Sequence, residues 1–140
     1  MNEIEFFFED IQPVAINLKK IKTQCKRLIC CEIKELGSVS VVFCSDDYLL
    51  EMNKQYLNHD YYTDIITFDY VEENVISGDL FISLDRVKEN AQKYNNDFII
   101  EIYRVVFHGI LHLIGYKDKT EEEKKLMREK ENFYLNMVVF

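Results

Sequence analysis

Residues 98–114 are apolar on almost every side, and this constrains the fold more than any other feature of the sequence. Isoleucine, valine, leucine and phenylalanine recur at positions all around a helical projection, not on one face only. A helix with this pattern is stable only when other elements cover it on all sides. We therefore expect a central, buried helix around which the rest of the chain packs.

Two histidines lie near the end of this expected helix. His108 and His112 are four residues apart, so both imidazoles leave the same face. Gly115 can adopt the left-handed conformation that ends a helix, which would let Asp118 turn back toward them. Two ring nitrogens and one carboxylate oxygen suit a divalent metal with open coordination positions. Core histidines with protein partners are the alternative, but burying two imidazoles without a shared ligand is costly.

The residue after the first histidine argues against the usual protease chemistry of such a pair. Zinc proteases of the H-E-x-x-H type place a glutamate there as general base, whereas this chain has Gly109. Glycine cannot take a proton from water. Hydrolysis would depend on a metal-bound water held by His108, His112 and Asp118, activated by the metal itself or by another base.

The remaining pattern predicts the element order β-α-β-α-β-β-α-α-α. We expect strands at 4–8, 38–44, 63–68 and 75–83, and helices at 13–33, 46–56, 85–94, 98–114 and from 121 onward. The third and fourth strands are close enough in sequence to form an antiparallel hairpin. This order predicts one α/β (α+β) domain over residues 1–140, with a four-stranded mixed sheet and about five helices.

Composition and charge narrow the class of protein. The formal net charge of -8 argues against a general nucleic-acid binder, and we expect no DNA partner. Residues 12–36 are nonetheless basic. Because a run of charges is more often a solvated helix face than a phosphate-binding stripe, we favour the solvated face. The four cysteines form no C-x-x-C pair, so we expect buried, reduced thiols. The acidic first residues and the lack of a long apolar run predict a cytoplasmic protein without a membrane partner.

Three ordered motifs carry a family resemblance. Residues 108–116, H-G-I-L-H-L-I-G-Y, resemble the H-G-x-L-H-L-x-G-Y-D-H signature of the YbeY family. Residues 63–68, T-D-I-I-T-F, and residues 78–83, G-D-L-F-I-S, are similar to that family's T-D-V-L-S-F and G-D-I-x-I-S strands.

The resemblance implies a single YbeY-like metal-dependent hydrolase domain, a member of the bacterial rRNA maturation factors. Such a protein would be a single-strand-specific endoribonuclease in rRNA maturation and ribosome quality control. The resemblance also implies one bound divalent metal ion, for which we expect zinc. The implied partners are an rRNA precursor and components of the small ribosomal subunit. Thr63, Asp64 and His59 would line the substrate cleft.

The chain departs from the family pattern at two places. Asp118 stands where the signature has its third histidine, which would make a His2Asp site and widen the metal choice toward manganese or iron. The alternatives are that Glu121 or Glu122 supplies the third ligand, or that the site binds its metal more weakly. Leu57 stands at the position of a family arginine in the cleft, where His59 or Lys54 would have to substitute.

Two other functions stay open at this point. A non-enzymatic ribosome assembly factor could use the metal only to stiffen its fold. A metal-dependent hydrolase of esters or peptides is the other alternative, and the missing glutamate after the first histidine disfavours it.

Overall fold

The computed structural model describes residues 2–140, and Met1 lies outside the described part. The elements follow in the predicted order: β1 (Glu3–Glu9), α1 (Leu18–Cys31), β2 (Glu35–Cys44), α2 (Asp46–Leu57), β3 (Ile65–Asp69), β4 (Val75–Ser83), α3 (Leu84–Lys93), α4 (Phe98–Ile114) and α5 (Glu121–Leu135). The strands form one sheet in the order β1-β2-β4-β3. The β1/β2 and β2/β4 pairs are parallel, and β3/β4 is antiparallel. The predicted four-stranded mixed sheet is confirmed.

The two faces of the sheet are covered unequally. Alternate residues of β2, Val39, Val41 and Phe43, are buried in the main core together with α1, α3, α4 and α5. Cys44 points to the opposite face, where it forms a smaller cluster with Leu49 of α2 and Ile66 of β3. This explains why β2 is apolar on both sides, as expected for a strand inside a sheet with two covered faces.

Helix α4 is buried between the sheet and its neighbouring helices. Ten of its 17 residues are buried. Two glycines allow it to approach the sheet closely: a Cβ on Gly109 would lie 2.8 Å from Leu80 Cδ1, and one on Gly78 would lie 2.8 Å from Leu113 Cδ2. Gly109 therefore has a packing role, because it lets α4 lie close to the sheet. It also lacks the carboxylate that a zinc protease uses as general base. Among the helices of residues 2–140, none combines the length and apolarity needed to cross a membrane.

Helix α1 is shorter than the sequence pattern predicts. It begins at Leu18, where Asn17 accepts a capping hydrogen bond from the Lys20 amide, so residues 13–17 of the predicted helix lie outside it. It ends at Cys31, and Ile33 has a positive φ of 59° and an 83% exposed side chain. The next strand begins earlier than predicted, because pairing with β4 extends β2 back to Glu35.

Burial in α5 and at the cysteines differs from what the sequence pattern suggests. Of the apolar residues Leu126, Phe133 and Leu135 through which the pattern draws α5, the first two are exposed, whereas Leu135 is buried together with Met127 and Tyr134. Met127 and Tyr134 are two turns apart, so they lie on one face of the helix, and both belong to the main core. All four cysteines are free, as expected, but Cys30 and Cys31 are exposed, and only Cys25 and Cys44 are buried.

Glu32, the residue after α1, joins three parts of the fold. Its carboxylate accepts hydrogen bonds from the Tyr116 hydroxyl at 2.6 Å, from Lys130 Nζ at 3.2 Å and from the Tyr134 hydroxyl. Tyr116 belongs to the loop after α4, and the other two donors belong to α5. Burial raises the pKa of Glu32, but the three donors outweigh it and hold the pKa below its ordinary value.

We expect Glu32→Gln to lower the free energy of unfolding by about 2 kcal/mol at neutral pH, because it replaces charge-assisted hydrogen bonds. A carboxyl group with a depressed folded-state pKa stabilises the protein above its unfolded-state pKa, and this is lost as pH falls through the folded-state pKa. The difference between the two proteins should therefore shrink below about pH 4.3, the ordinary glutamate value. Urea denaturation across this range tests it, with exposed Glu35→Gln as control. A difference that is constant with pH would contradict this role.

Candidate metal centre

The end of α4 brings the two histidines to the surface of the core. The side chains of His108 and His112 are 21% and 27% exposed, and their ring centroids lie 4.6 Å apart. Gly115 ends the helix with a φ of 126°, and its amide donates to the carbonyls of Leu111 and His112. The exit turn is thus the glycine-dependent one that the sequence predicts.

Asp118 turns back to both rings. Its Oδ2 atom lies 3.2 Å from His108 Nε2 and 3.4 Å from His112 Nε2. Ligand atoms about 2.1 Å from a tetrahedral zinc ion are themselves separated by roughly 3.4 Å. The three donor atoms, which all lie within 4.8 Å of one another, could therefore hold a divalent ion.

Glu121 and Glu122, the alternative ligands, are not brought to this group. Both are exposed in the first turn of α5, and Glu121 Oε1 lies 3.8 Å from Lys124 Nζ. In the described part of the chain, the group with metal-ligand spacing consists of His108, His112 and Asp118.

Glu131 of α5 supports the first histidine from behind. Its Oε2 atom lies 2.7 Å from His108 Nδ1, and its Oε1 atom accepts a hydrogen bond of 3.0 Å from Arg104 Nη1. Burial raises the pKa of Glu131, but the hydrogen bond from His108 and the charge of Arg104 outweigh it, so the net pKa is lowered. An ionised Glu131 accepts a hydrogen bond from the Nδ1–H group, which leaves Nε2 to face Asp118.

The sequence analysis missed Glu131, although a signal was present. Glu131 is four residues after Met127 and three before Tyr134, so it lies on the buried face of α5 and is only 6% exposed. A carboxylate on the apolar face of an amphipathic helix needs a buried partner. The partner is His108, and its neighbour Arg104 completes the ion pair.

Two surface grooves meet at this centre and share Asp64, His108 and Asp118. The α5 groove, of about 710 Å³, runs between α3, α4 and α5. The β3 groove, of about 410 Å³, runs along the start of β3 and is lined by Thr63, Asp64, Ile65, Thr67 and Asp69. Burial raises the pKa of Asp64, and the nearby His108 only partly opposes this. Asp64 is therefore a more basic carboxylate than an exposed aspartate.

The other residues expected in the cleft lie elsewhere. His59 is exposed in the loop after α2, where its ring stacks on Tyr61 and its Nδ1 lies 3.0 Å from the Tyr61 hydroxyl. Lys54 pairs with Glu51 and Asp60 at 3.6 Å. Leu57 is the last residue of α2. Of the expected cleft residues, the structure brings Thr63 and Asp64 to the histidines but not His59.

Comparison with known proteins places this geometry in a family. A family model described as Endoribonuclease YbeY matches residues 7–139. An Endoribonuclease YbeY of Parabacteroides distasonis is 51% identical over 129 residues, which cover 92% of this chain and 91% of that protein. One of Bacteroides thetaiotaomicron is 53% identical over 104 residues, 74% of this chain and 76% of that protein.

A solved structure agrees with these sequence matches. The solution structure of a Thermotoga maritima protein is 33% identical, with a TM-score of 0.71, and the match covers 95% of this chain and 87% of that one. The relatives bear the name of an endoribonuclease, which supports the predicted enzyme class. The chain therefore belongs to the Endoribonuclease YbeY family, as its motifs predict.

Proposed function

We propose that this protein is a metal-dependent endoribonuclease that cuts single-stranded RNA in rRNA maturation and ribosome quality control. The observation that carries the proposal is the convergence of His108, His112 and Asp118 where two open grooves meet. The family name supplies the substrate class. Residues 1–140 would act as one hydrolase domain in the cytoplasm, with components of the small ribosomal subunit as partners.

The three converging side chains would hold one zinc ion. Two imidazole nitrogens and a carboxylate oxygen are a common protein ligand set for zinc at catalytic sites. When bound, such an ion lowers the pKa of a coordinated water and polarises a phosphoryl oxygen. Glu131 would keep the His108 ring oriented, because it holds Nδ1 at 2.7 Å and leaves Nε2 to the ion.

Asp64 is the carboxylate best placed to move a proton. It lines both grooves beside His108 and Asp118. Since burial raises its pKa, its carboxylate is a stronger base than that of an exposed aspartate. We assign it the role of accepting the proton of the attacking water, while Thr63 forms the adjoining groove wall.

The ligand assignment is tested at Asp118. We expect Asp118→Ala to lower zinc affinity by at least about 100-fold. Loss of a residue that hydrogen-bonds a ligand lowers metal affinity by up to about 100-fold, and loss of a ligand itself should lower it at least as much. Cleavage of a labelled single-stranded RNA should fall with it. Asp118→His, which restores a nitrogen donor, should keep the zinc. Unchanged metal content in Asp118→Ala would exclude Asp118 as a ligand.

The function itself is tested by removing both histidines. In the variant His108→Ala/His112→Ala, cleavage should be lost together with the metal. Undiminished RNA cleavage by this metal-free variant would overturn the proposal. Ribosomal binding by a zinc-loaded wild-type protein that leaves RNA intact would point instead to a non-enzymatic assembly factor.

The orienting role of Glu131 predicts a separate effect. Glu131→Gln should weaken zinc binding by about 10- to 100-fold, because a neutral amide is a poorer acceptor for the Nδ1 proton. Glu129→Gln, an exposed position on the same helix, removes the same charge and should leave affinity unchanged. Competition with a chromophoric chelator measures both. Equal affinities in the two variants would show that Glu131 does not support the metal centre.

The role of Asp64 predicts a change in rate without a change in metal. Asp64→Asn should lower kcat by about 100-fold or more, since general base catalysis contributes that much, and zinc content should stay at the wild-type level. Asp69→Asn, in the same groove but exposed, is the matched control. A full kcat in Asp64→Asn would exclude Asp64 as the base.

A further inference from the structure

The two grooves that meet at the candidate metal centre differ in charge. The β3 groove is lined by three carboxylates, Asp64, Asp69 and Asp118, and among residues 2–140 no lysine or arginine lines it. The α5 groove contains Arg104, Lys124 and Arg128; besides the shared Asp64 and Asp118, its carboxylates are Glu101 and Glu131, both of which pair with Arg104. In a protein of net charge -8, a polyanion is held only where cations are locally concentrated. The α5 groove is the side of the centre where this condition is met.

Two of these three cations are exposed to solvent. Arg104 is 18% exposed and engaged internally, with Nη1 at 3.0 Å from Glu131 and Nε at 3.6 Å from Glu101. Lys124 and Arg128 are 58% and 61% exposed, and their carboxylate partners lie at 3.8 and 3.6 Å. The Lys124–Glu121 pair is exposed on both sides and contributes little free energy, so a phosphate can replace it. The partner of Arg128 is the buried Glu131, which keeps its closer contacts with Arg104 and His108 when Arg128 turns to a phosphate. The two residues are four apart on α5 and therefore project from one face.

An aromatic side chain lies in the same groove. Tyr94, which follows α3, lines it and is 62% exposed, with Lys93 Nζ 5.4 Å from the ring centroid. Nearby Asn90 and Asn132 also line the groove. An exposed ring beside cations is the combination that binds single-stranded nucleic acid, because the bases stack on the ring and the cations hold the backbone.

Four of the five basic residues of α1 contact other parts of the fold. Lys22 and Lys26 lie 3.7 and 3.4 Å from Glu3, and Lys20 and Arg27 donate to the main-chain carbonyls of Val139 and Met137. In the described part of the chain, no α1 cation lines either groove. This agrees with the expectation of a solvated face and argues against a phosphate-binding stripe on α1.

We propose that the α5 groove is the substrate-binding subsite for single-stranded RNA. Lys124 and Arg128 contact successive phosphates, and Tyr94 stacks on a base, to one side of the candidate metal centre. This inference rests on the proposed endoribonuclease function. It predicts little base preference, since phosphate contacts and stacking do not read sequence.

The test compares two double variants with the same change in net charge. Lys124→Gln/Arg128→Gln alters the groove, and Lys22→Gln/Lys26→Gln alters α1. Binding of a fluorescein-labelled oligouridine RNA is followed by anisotropy in EDTA over a range of salt concentrations. Steady-state cleavage of the same RNA is measured with zinc.

The groove variant should bind about ten-fold more weakly than wild type, and the slope of log K against log salt should become shallower by about 1.4, as expected for two lost contacts to a single strand. KM should rise while kcat stays within about two-fold, because neither residue touches the reacting atoms. The α1 variant should behave as wild type. Unchanged affinity and salt slope in the groove variant, or an equal loss in both variants, would overturn the proposal.

A substitution at Tyr94 separates stacking from charge. Tyr94→Ala should weaken binding about ten-fold without changing the salt slope, and Tyr94→Phe should restore affinity, because the π-face is retained. Wild-type affinity in Tyr94→Ala would remove the stacking part of the proposal. Groove-dependent binding without any cleavage would uphold this subsite and overturn the nuclease function. RNA cleavage with an unchanged KM in the groove variants would uphold the nuclease function and overturn this subsite.

Discussion

The burial of α4 on all sides is the constraint on which the rest of the structure depends. The sheet covers one side of this helix, and α1, α3 and α5 cover the others. Contact with the sheet is close because Gly109 and Gly78 have no side chains there. One edge of the helix lines the α5 groove with Glu101, Arg104 and Val105, and its last two turns carry His108 and His112. The site is therefore built on the helix with the largest buried fraction, which favours accurate positioning of ligands.

Placing two imidazoles at the edge of the core requires partners for four ring nitrogens. For three of them the partners are carboxylates: Glu131 for Nδ1 of His108, and Asp118 for Nε2 of both rings. The two carboxylates reach the histidines from different elements, α5 and the loop before it. Glu32 ties α1 to that loop through Tyr116 and to α5 through Tyr134, so the same contact holds both carboxylate-bearing segments. Stability and site geometry thus depend on shared hydrogen bonds.

How much the sequence could predict differs between local and long-range features. The bounds of α4, the capping box of α5 at Thr120 and the meeting of Asp118 with the histidines follow from local spacing, which sequence records directly. The end of α1 could not be predicted this way, because strand pairing with β4 decides where β2 begins. Glu131 was missed because its partner is 23 residues away. Which residues of α5 face α4 depends on the orientation of α5 about its own axis. The sequence periodicity predicts that orientation only to within one residue.

The aspartate at position 118 also bears on where an anionic substrate can be held. A divalent ion beside ionised Asp118 and Asp64 would have its charge cancelled, since neutral imidazoles add none. A third histidine in place of Asp118, as in the YbeY signature, would leave one positive charge at the centre. With Asp118 as a ligand the formal charges at the centre would sum to zero, and the β3 groove adds Asp69. Attraction for the phosphodiester backbone would then come from beside the centre, where Lys124 and Arg128 line the α5 groove. The aspartate at position 118 and the cations of α5 would thus form one electrostatic arrangement, in which chemistry and substrate attraction fall to different residues.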